Sequence, residues 1–217
     1  MSISPEDLRK RLEEMRRELD QLKTSASVQV TEKLANPAPL GLAGFGLTTL
    51  ILNIVNADLI DKASIGMVLP VGLFYGGLAQ FMAGMWEMKK NNTFGFTAFS
   101  SFGAFWMALA IMVILKDAEV IAPVPKEGMS VFLGAWGLFT AYMTIGTVKI
   151  SRALLVVFTT LTILFFLLAC GEHNETVMKI AGWEGIFCAF TALYASAAQV
   201  INETWGEYLL PLGLVKK

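Results

Sequence analysis

The sequence predicts an all-α integral membrane protein of six transmembrane helices, arranged as three hairpins with a pseudo-threefold pattern. Three observations carry this prediction. Six stretches, Leu34–Ala57, Ala63–Trp86, Asn91–Leu115, Gly128–Val148, Ala153–Gly171 and Gly185–Asn202, contain no Asp, Glu, Lys or Arg. Each is close to the ~20 residues that a helix needs to cross a ~30 Å hydrocarbon layer. Hydrophobic residues make up 55% of the chain and the mean hydropathy is +0.58, outside the range of ordinary soluble domains. Positive charge also alternates between loops. Seven Lys or Arg precede Leu34, and Lys89–Lys90, Lys149 with Arg152, and Lys216–Lys217 bring that side to 13; the other loops hold only Lys62, Lys116, Lys126 and Lys179, a total of 4. The excess of basic residues places both termini in the cytoplasm, as an even number of spans requires. The expected location is the cell membrane, multi-pass.

Three regions follow: a cytoplasmic amphipathic helix in 1–33, a transmembrane domain over 34–205, and a cytoplasmic tail over 206–217. In the first, Leu8, Leu12, Met15, Leu19 and Leu22 follow the four-three spacing of a heptad seam among charged residues. Two heptads are too short for a stable coiled coil alone, so the seam lies on a membrane or protein surface or packs against neighbouring subunits. No continuous apolar core of a signal peptide is present there.

Span one opens at Asn36-Pro-Ala-Pro39, with Asn36 as the expected cap and proline tolerated in the first turn. The short loop Asp58–Lys62 makes spans one and two a hairpin. Span two carries Gly72 and Gly76 at a small-xxx-small spacing that lets backbones approach closely, and it ends at Trp86-Glu87 near the interface. Lys89–Thr93 turns the chain into span three, Val124–Met129 separates spans three and four, and spans four and five join around Lys149–Arg152. His173, the one histidine, reads as a solvated loop residue. Cys170 and Cys188 read as small apolar residues, with no partners for a disulfide or metal site. No cofactor, metal or nucleic-acid partner is expected.

Polar residues inside the spans carry the functional information. Thr48, Thr49, Asn53, Gln80, Thr97, Ser100, Ser101, Thr159, Thr160, Thr162, Ser196 and Gln199 lie in otherwise apolar runs. Hydroxyls and amides in hydrocarbon need partners, so they face a bundle interior or a wet cavity. Many hydroxyls can bond back to the preceding turn, but an amide cannot satisfy all its groups that way. No acidic or basic residue is expected at midspan, which leaves no ionisable relay and suits a small solute that binds weakly and leaves again. The helix starts at Asn36 and at Asn92-Thr93 favour a small anion. Glu87 and Glu203 lie towards the cytoplasmic side, as interface anchors, as partners of Lys89, Lys90 or Arg152, or in gating or coupling.

A depth count singles out three large apolar residues. Phe45 follows Asn36 by nine residues, Phe102 follows Asn92 by ten and Leu161 follows Ser151 by ten. Each sits ~14 Å along its helix, near the bilayer midplane. An enzyme would need a nucleophile with a base, or a metal cluster, and one loop histidine supplies neither.

The segment Asn36-Pro-Ala-Pro-Leu-Gly-Leu42 resembles the signature of the acetate uptake transporter family, the succinate–acetate permease type. The resemblance extends through Gly44–Thr49, Phe74-Tyr-Gly-Gly77 with Gln80, Ala83–Glu87, Asn92–Trp106 and Asn202-Glu203. It implies six-helix protomers assembled as a homohexamer, each with its own pore, carrying acetate, other short monocarboxylates and sometimes succinate as a channel or a proton symporter. It also implies a midpore constriction at Phe45, Phe102 and Leu161, and substrate contacts among Asn36, Leu40, Thr48, Thr49, Asn53, Tyr75, Gln80, Thr97 and Ser101. Phe102 departs from the family's tyrosine and lacks its hydroxyl. The alternative is a channel for formate, nitrite or another small solute.

Overall fold

The computed structural model describes residues 4–32 and 34–215, with only the backbone path for 25–32. The chain divides into two units, 1–36 and 37–217. The first contains α1 (Pro5–Glu32), opened by Ser4, whose Oγ accepts from the Asp7 amide at 3.2 Å, with Pro5 in the first turn and Glu6 and Asp7 at the positive end of the helix dipole. Its predicted seam from Leu8 to Leu22 is exposed within this unit.

The second unit holds six helical spans long and apolar enough to cross a membrane. They are α2 (Ala38–Asn56); a composite second span; α5 (Thr93–Asp117); α6 (Lys126–Thr147); α7 (Arg152–Gly171); and α8 (Glu175–Trp205). The chain is a multi-pass membrane protein, with all six crossings where the charge-free runs predict them. The start of α2 and the end of α8 define the terminal end of the bundle; the loops after α2, α5 and α7 define the loop end.

Two spans differ from their predicted form. The second is not one continuous α-helix. A 3-10 turn (Lys62–Ser64) leads into α3 (Ile65–Leu73), then a π-helical segment Phe74–Ala79, then α4 (Gln80–Lys89). Pro70 removes one amide from the ladder, and the wider turns carry Gly76-Gly77 past Thr48 and Met107, against which any Cβ would press. The sixth span begins earlier than its charge-free run. Asn174 Oδ1 accepts from the Thr176 and Val177 amides and caps α8 at Glu175, so Lys179 and Glu184 both lie within the helix. Lys179 reaches Asp58 at 2.6 Å, closing α8 on the loop after α2; that ammonium holds the Asp58 carboxyl below the usual carboxylate range.

The expected cap of α2, Asn36, is displaced: Pro37 occupies the cap position and no side chain caps the helix. With Pro39 in the first turn, fewer orphan amides need a partner there.

Packing follows small residues and hydroxyls. A Cβ on Gly182 would overlap the backbone of Asn56 and Ala57, and one on Gly185 would overlap the Asn53 amide, so α8 touches α2 backbone to backbone. Ser196 Oγ donates to the Pro39 carbonyl at 2.7 Å at the other end of the same contact. The α6–α7 hairpin is stitched by Thr144 Oγ1, 3.0 Å from Thr162 Oγ1, and by Ser130 Oγ donating to the Ala169 carbonyl at 2.7 Å. The tail turns back at Gly206 (φ +68°), and its Leu212 and Gly213 carbonyls accept from the Ala153 and Arg152 amides. The start of α7 is thereby satisfied by the protein itself.

Gly182→Ala is expected to lose ~1–3 kcal/mol, since the opposing atoms are backbone and cannot rotate away. Gly66→Ala, where a new methyl group would meet open space, should be neutral or gain up to ~1 kcal/mol in helix propensity. Thermal unfolding of the two purified variants in detergent checks the contrast.

Candidate functional site

The middle of the bundle is aromatic. Phe45 on α2, Phe102 on α5 and Leu161 on α7 are all buried and point inward, with 3–5% of their surface exposed. The Phe45 and Phe102 ring centres are 6.2 Å apart. Phe102 also meets Trp136 (6.1 Å), Phe139 (5.4 Å), Phe158 (6.0 Å) and Phe165 (6.3 Å), so rings from α2, α6 and α7 close on one side chain. Offset and edge-to-face pairs of this kind add to simple area burial. The layer is nearly all hydrocarbon: of these contacting side chains only Trp136 carries a polar group, its indole N–H.

A cavity of about 150 Å³ lies directly on this layer and runs towards the loop end. Phe45 and Leu161 form its floor; Thr49, Asn53 and Asn56 of α2, Phe105 and Trp106 of α5, Leu133 of α6, and Leu164 and Leu168 of α7 line its walls; Glu172 and Met178 stand at its mouth. Phe102 lies behind the floor rather than in the lining. Two polar atoms stand out. Thr49 Oγ1 and Trp106 Nε1 are buried and have no hydrogen-bond partner among the described residues. A hydroxyl and an indole N–H can both donate, and buried donors are ordinarily satisfied, so both are available to a group that accepts. Asn53 is fully buried and braced: its Nδ2 donates to the Thr49 carbonyl at 2.8 Å, and its Oδ1 accepts from Asn56 at 3.2 Å. Burial pushes the Glu172 carboxyl above the ordinary range, with Lys126 and then His173 pulling the other way.

The other residues expected at the site lie elsewhere. Thr48, beside Thr49 in sequence, turns back on its own helix and donates to the Gly44 carbonyl at 2.8 Å. Gln80 is buried where α4 meets α2, its Oε1 without a partner among the described residues. Tyr75 is half-buried in the π-helical segment, Thr97 and Ser101 are half-buried on α5 outside the cavity lining, and Leu40 is exposed on the first turn of α2. Asn36 precedes this unit and belongs to the first.

At the terminal end, Glu87 is 1% exposed and its Oε2 accepts from Asn92 Nδ2 at 2.7 Å. The expected ion pairs with Lys89 or Arg152 do not form; the Lys89 ammonium instead lies 4.8 Å from the centre of the Trp86 ring. Asn92 turns its Oδ1 to the Gly95 amide and so caps α5 while its Nδ2 serves Glu87. Glu203 is exposed.

The expectation of no ionisable residue at midspan is overturned by Glu184. It is the tenth residue of α8, ~14 Å from the helix start, and both its carboxyl oxygens are buried without a partner among the described residues. One turn on, Cys188 Sγ approaches the Val157 carbonyl at 3.8 Å, which sets Glu184 level with Leu161 in the antiparallel pair. It escaped notice because it borders a charge-free run. Trp106 and Glu172 were also missed. Trp106 stands one turn after Phe102 on the same face, a signal the spacing offered; Glu172 had none beyond its place at the end of span five. A larger groove, about 520 Å³, lies on the exposed side between the tail, Arg152 and Phe190, away from the aromatic layer.

Residues 19–211 match the model of the GPR1/FUN34/yaaH family. The chain belongs to that family. It is 45% identical over 183 residues to the succinate-acetate/proton symporter SatP of Escherichia coli, covering 83% of this chain and 96% of that one. It is 34% identical over 197 residues to acetate permease A of Emericella nidulans, covering 83% of this chain and 66% of the relative. A solved structure of the bacterial acetate channel SatP superposes with a TM-score of 0.81 at 45% identity, covering 83% of this chain and all of the other.

Asn92→Asp is expected to keep the cap of α5 while setting a second carboxylate against buried Glu87, losing ~1–3 kcal/mol. Adding Glu87→Gln, which can donate to the new carboxylate, should recover most of that loss. A double-mutant cycle of melting temperatures reads the coupling.

Proposed function

We propose that the protein carries acetate and related short-chain carboxylates across the membrane, through a path inside each protomer that narrows at Phe45, Phe102 and Leu161. The observation that carries this reading is the cavity above that layer: two unpartnered donors, Thr49 and Trp106, over an apolar floor. A short carboxylate is the complementary shape, with oxygens at one end and a methyl group at the other. The names of the relatives, a succinate-acetate/proton symporter and an acetate permease, support the same substrate class.

The energetics assign each part a task. Removing a carboxylate from water costs several kcal/mol or more, while burying one methyl returns only ~0.8 kcal/mol. Hydrogen bonds to a charged group contribute ~1.5–3 kcal/mol each, so the Thr49 hydroxyl and the Trp106 indole supply most of the compensation. The aromatic layer cannot replace them. It passes a methyl or a neutral acid and opposes a hydrated ion, and without a phenolic hydroxyl Phe102 acts there by bulk and dryness alone. No step of this account makes or breaks a covalent bond, so the protein is not read as an enzyme.

The excess of basic residues at the terminal end supports a cytoplasmic setting for that end, with the cavity then facing outward. The family signature beginning at Asn36 supports a homohexamer, and the apolar outer faces of the spans give neighbouring subunits or lipid a surface. Glu87, buried beside the cap of α5, suits gating or coupling at the inner side better than exposed Glu203. A path for formate, nitrite or another small solute is the second reading, because formate shares the carboxylate but lacks the methyl group.

Proteoliposomes loaded in parallel with acetate, formate and glycerol test the reading. Acetate flux well above glycerol flux is expected. Trp106→Phe, which keeps the ring and removes the donor, should weaken acetate affinity about tenfold. Equal flux of all three solutes, or unchanged affinity in this variant, would refute the assigned contact.

A further inference from the structure

We propose that Glu172 is a titratable gate at the mouth of the cavity, admitting a carboxylate when its own carboxyl carries a proton and turning it away when ionised. This deepens the transport reading and rests on it. The geometry comes first. Glu172 caps the end of α7 and lines the same cavity as Thr49, Asn53 and the Phe45–Leu161 floor, so an anion entering from the loop end passes it. No ion pair to Glu172 forms among the described residues; at this end Lys179 pairs with Asp58 at 2.6 Å and Lys116 with Asp117 at 2.8 Å.

A fixed negative charge at the entrance of a narrow anion path raises the local barrier, because low-dielectric walls focus its field along the opening. The protonated carboxyl reverses the effect and becomes a donor for the incoming carboxylate oxygens. The charged groups around it set where the change falls. Lys126 at the start of α6 and neighbouring His173 favour the ionised form, whereas burial disfavours it and dominates. Glu127 and Glu175 stand in the first turns of α6 and α8 at the same end, with Asp58, Asp61 and Lys62 at the loop after α2 and Lys116, Asp117 and Glu119 at the end of α5 and the loop after it. The transition therefore lies above the ordinary glutamate range of ~4.3. Admission is high below it and falls as pH rises through it.

Acetate exchange at equal pH on both sides of proteoliposomes isolates this step from any driving gradient. Wild-type exchange, after subtraction of empty vesicles, is expected to fall several-fold as pH is raised stepwise from the ordinary glutamate range of ~4.3. Glu172→Gln should hold the acid-side rate throughout, and Glu172→Asp should keep a pH-dependent fall. Lys126→Met supplies an independent arm in a chain whose Glu172 is intact: losing the ammonium should move the fall to higher pH. A Glu172→Gln profile that follows the wild type, or a Lys126→Met midpoint that stays in place, overturns the gate and leaves transport standing. Absence of wild-type exchange at every pH would overturn the transport reading, and the gate with it.

Discussion

The contact between Phe45 and Phe102, with the rings that close around it, is the constraint on which the rest depends. Phe102 is held by aromatic side chains from α2, α6 and α7, so four helices share one dry layer at midspan. Close-packed interiors have low compressibility and transmit strain, so a shift in one ring is felt by the others. Because the layer offers no donor but the Trp136 indole N–H, a polar solute reaching it must be held mainly by something just above. Thr49 and Trp106 are there, with their donors unspent among the described residues. Floor and donors make sense only together.

Hydroxyls in these spans serve two distinct ends, and neighbouring Thr48 and Thr49 separate them. Thr48 returns its proton to its own helix and, with Gly76 against it, lets the π-helical segment approach α2. Thr49, one residue on and about 100° round the helix, faces the cavity. Thr144 and Thr162 belong with Thr48: they bond to carbonyls and to each other and hold α6 on α7. Their polarity is structural glue rather than lining.

Much of the fold was legible in the sequence because hydrocarbon imposes its own ruler: six runs without charge fix six crossings. The common depth of Phe45, Phe102 and Leu161 was legible, since helix rise turns residue number into distance; that all three turn inward was not. What was not legible depends on rotation and on neighbours. A charge-free run cannot locate the start of α8, because Asn174 caps the helix well before Glu184. The π-helical segment arises from Pro70 and from glycine contacts with α2 and α5, which no local pattern reports. Of the nine substrate-contact residues expected, only Thr49 and Asn53 line the cavity, because a position within a motif does not say which way its side chain turns. Glu87 was expected as an interface anchor or a partner of Lys89, Lys90 or Arg152; it is buried, and Asn92, already committed to capping α5, donates to it.

The most direct measurement of the central claim is a structure of the protein soaked with bromoacetate, whose bromine can be located by anomalous scattering. The account predicts bromine against Phe45 and Leu161, with the carboxylate between Thr49 Oγ1 and Trp106 Nε1. Bromine seated only in the open groove beside Arg152 and Phe190, with the cavity over the aromatic layer unvisited, would contradict it.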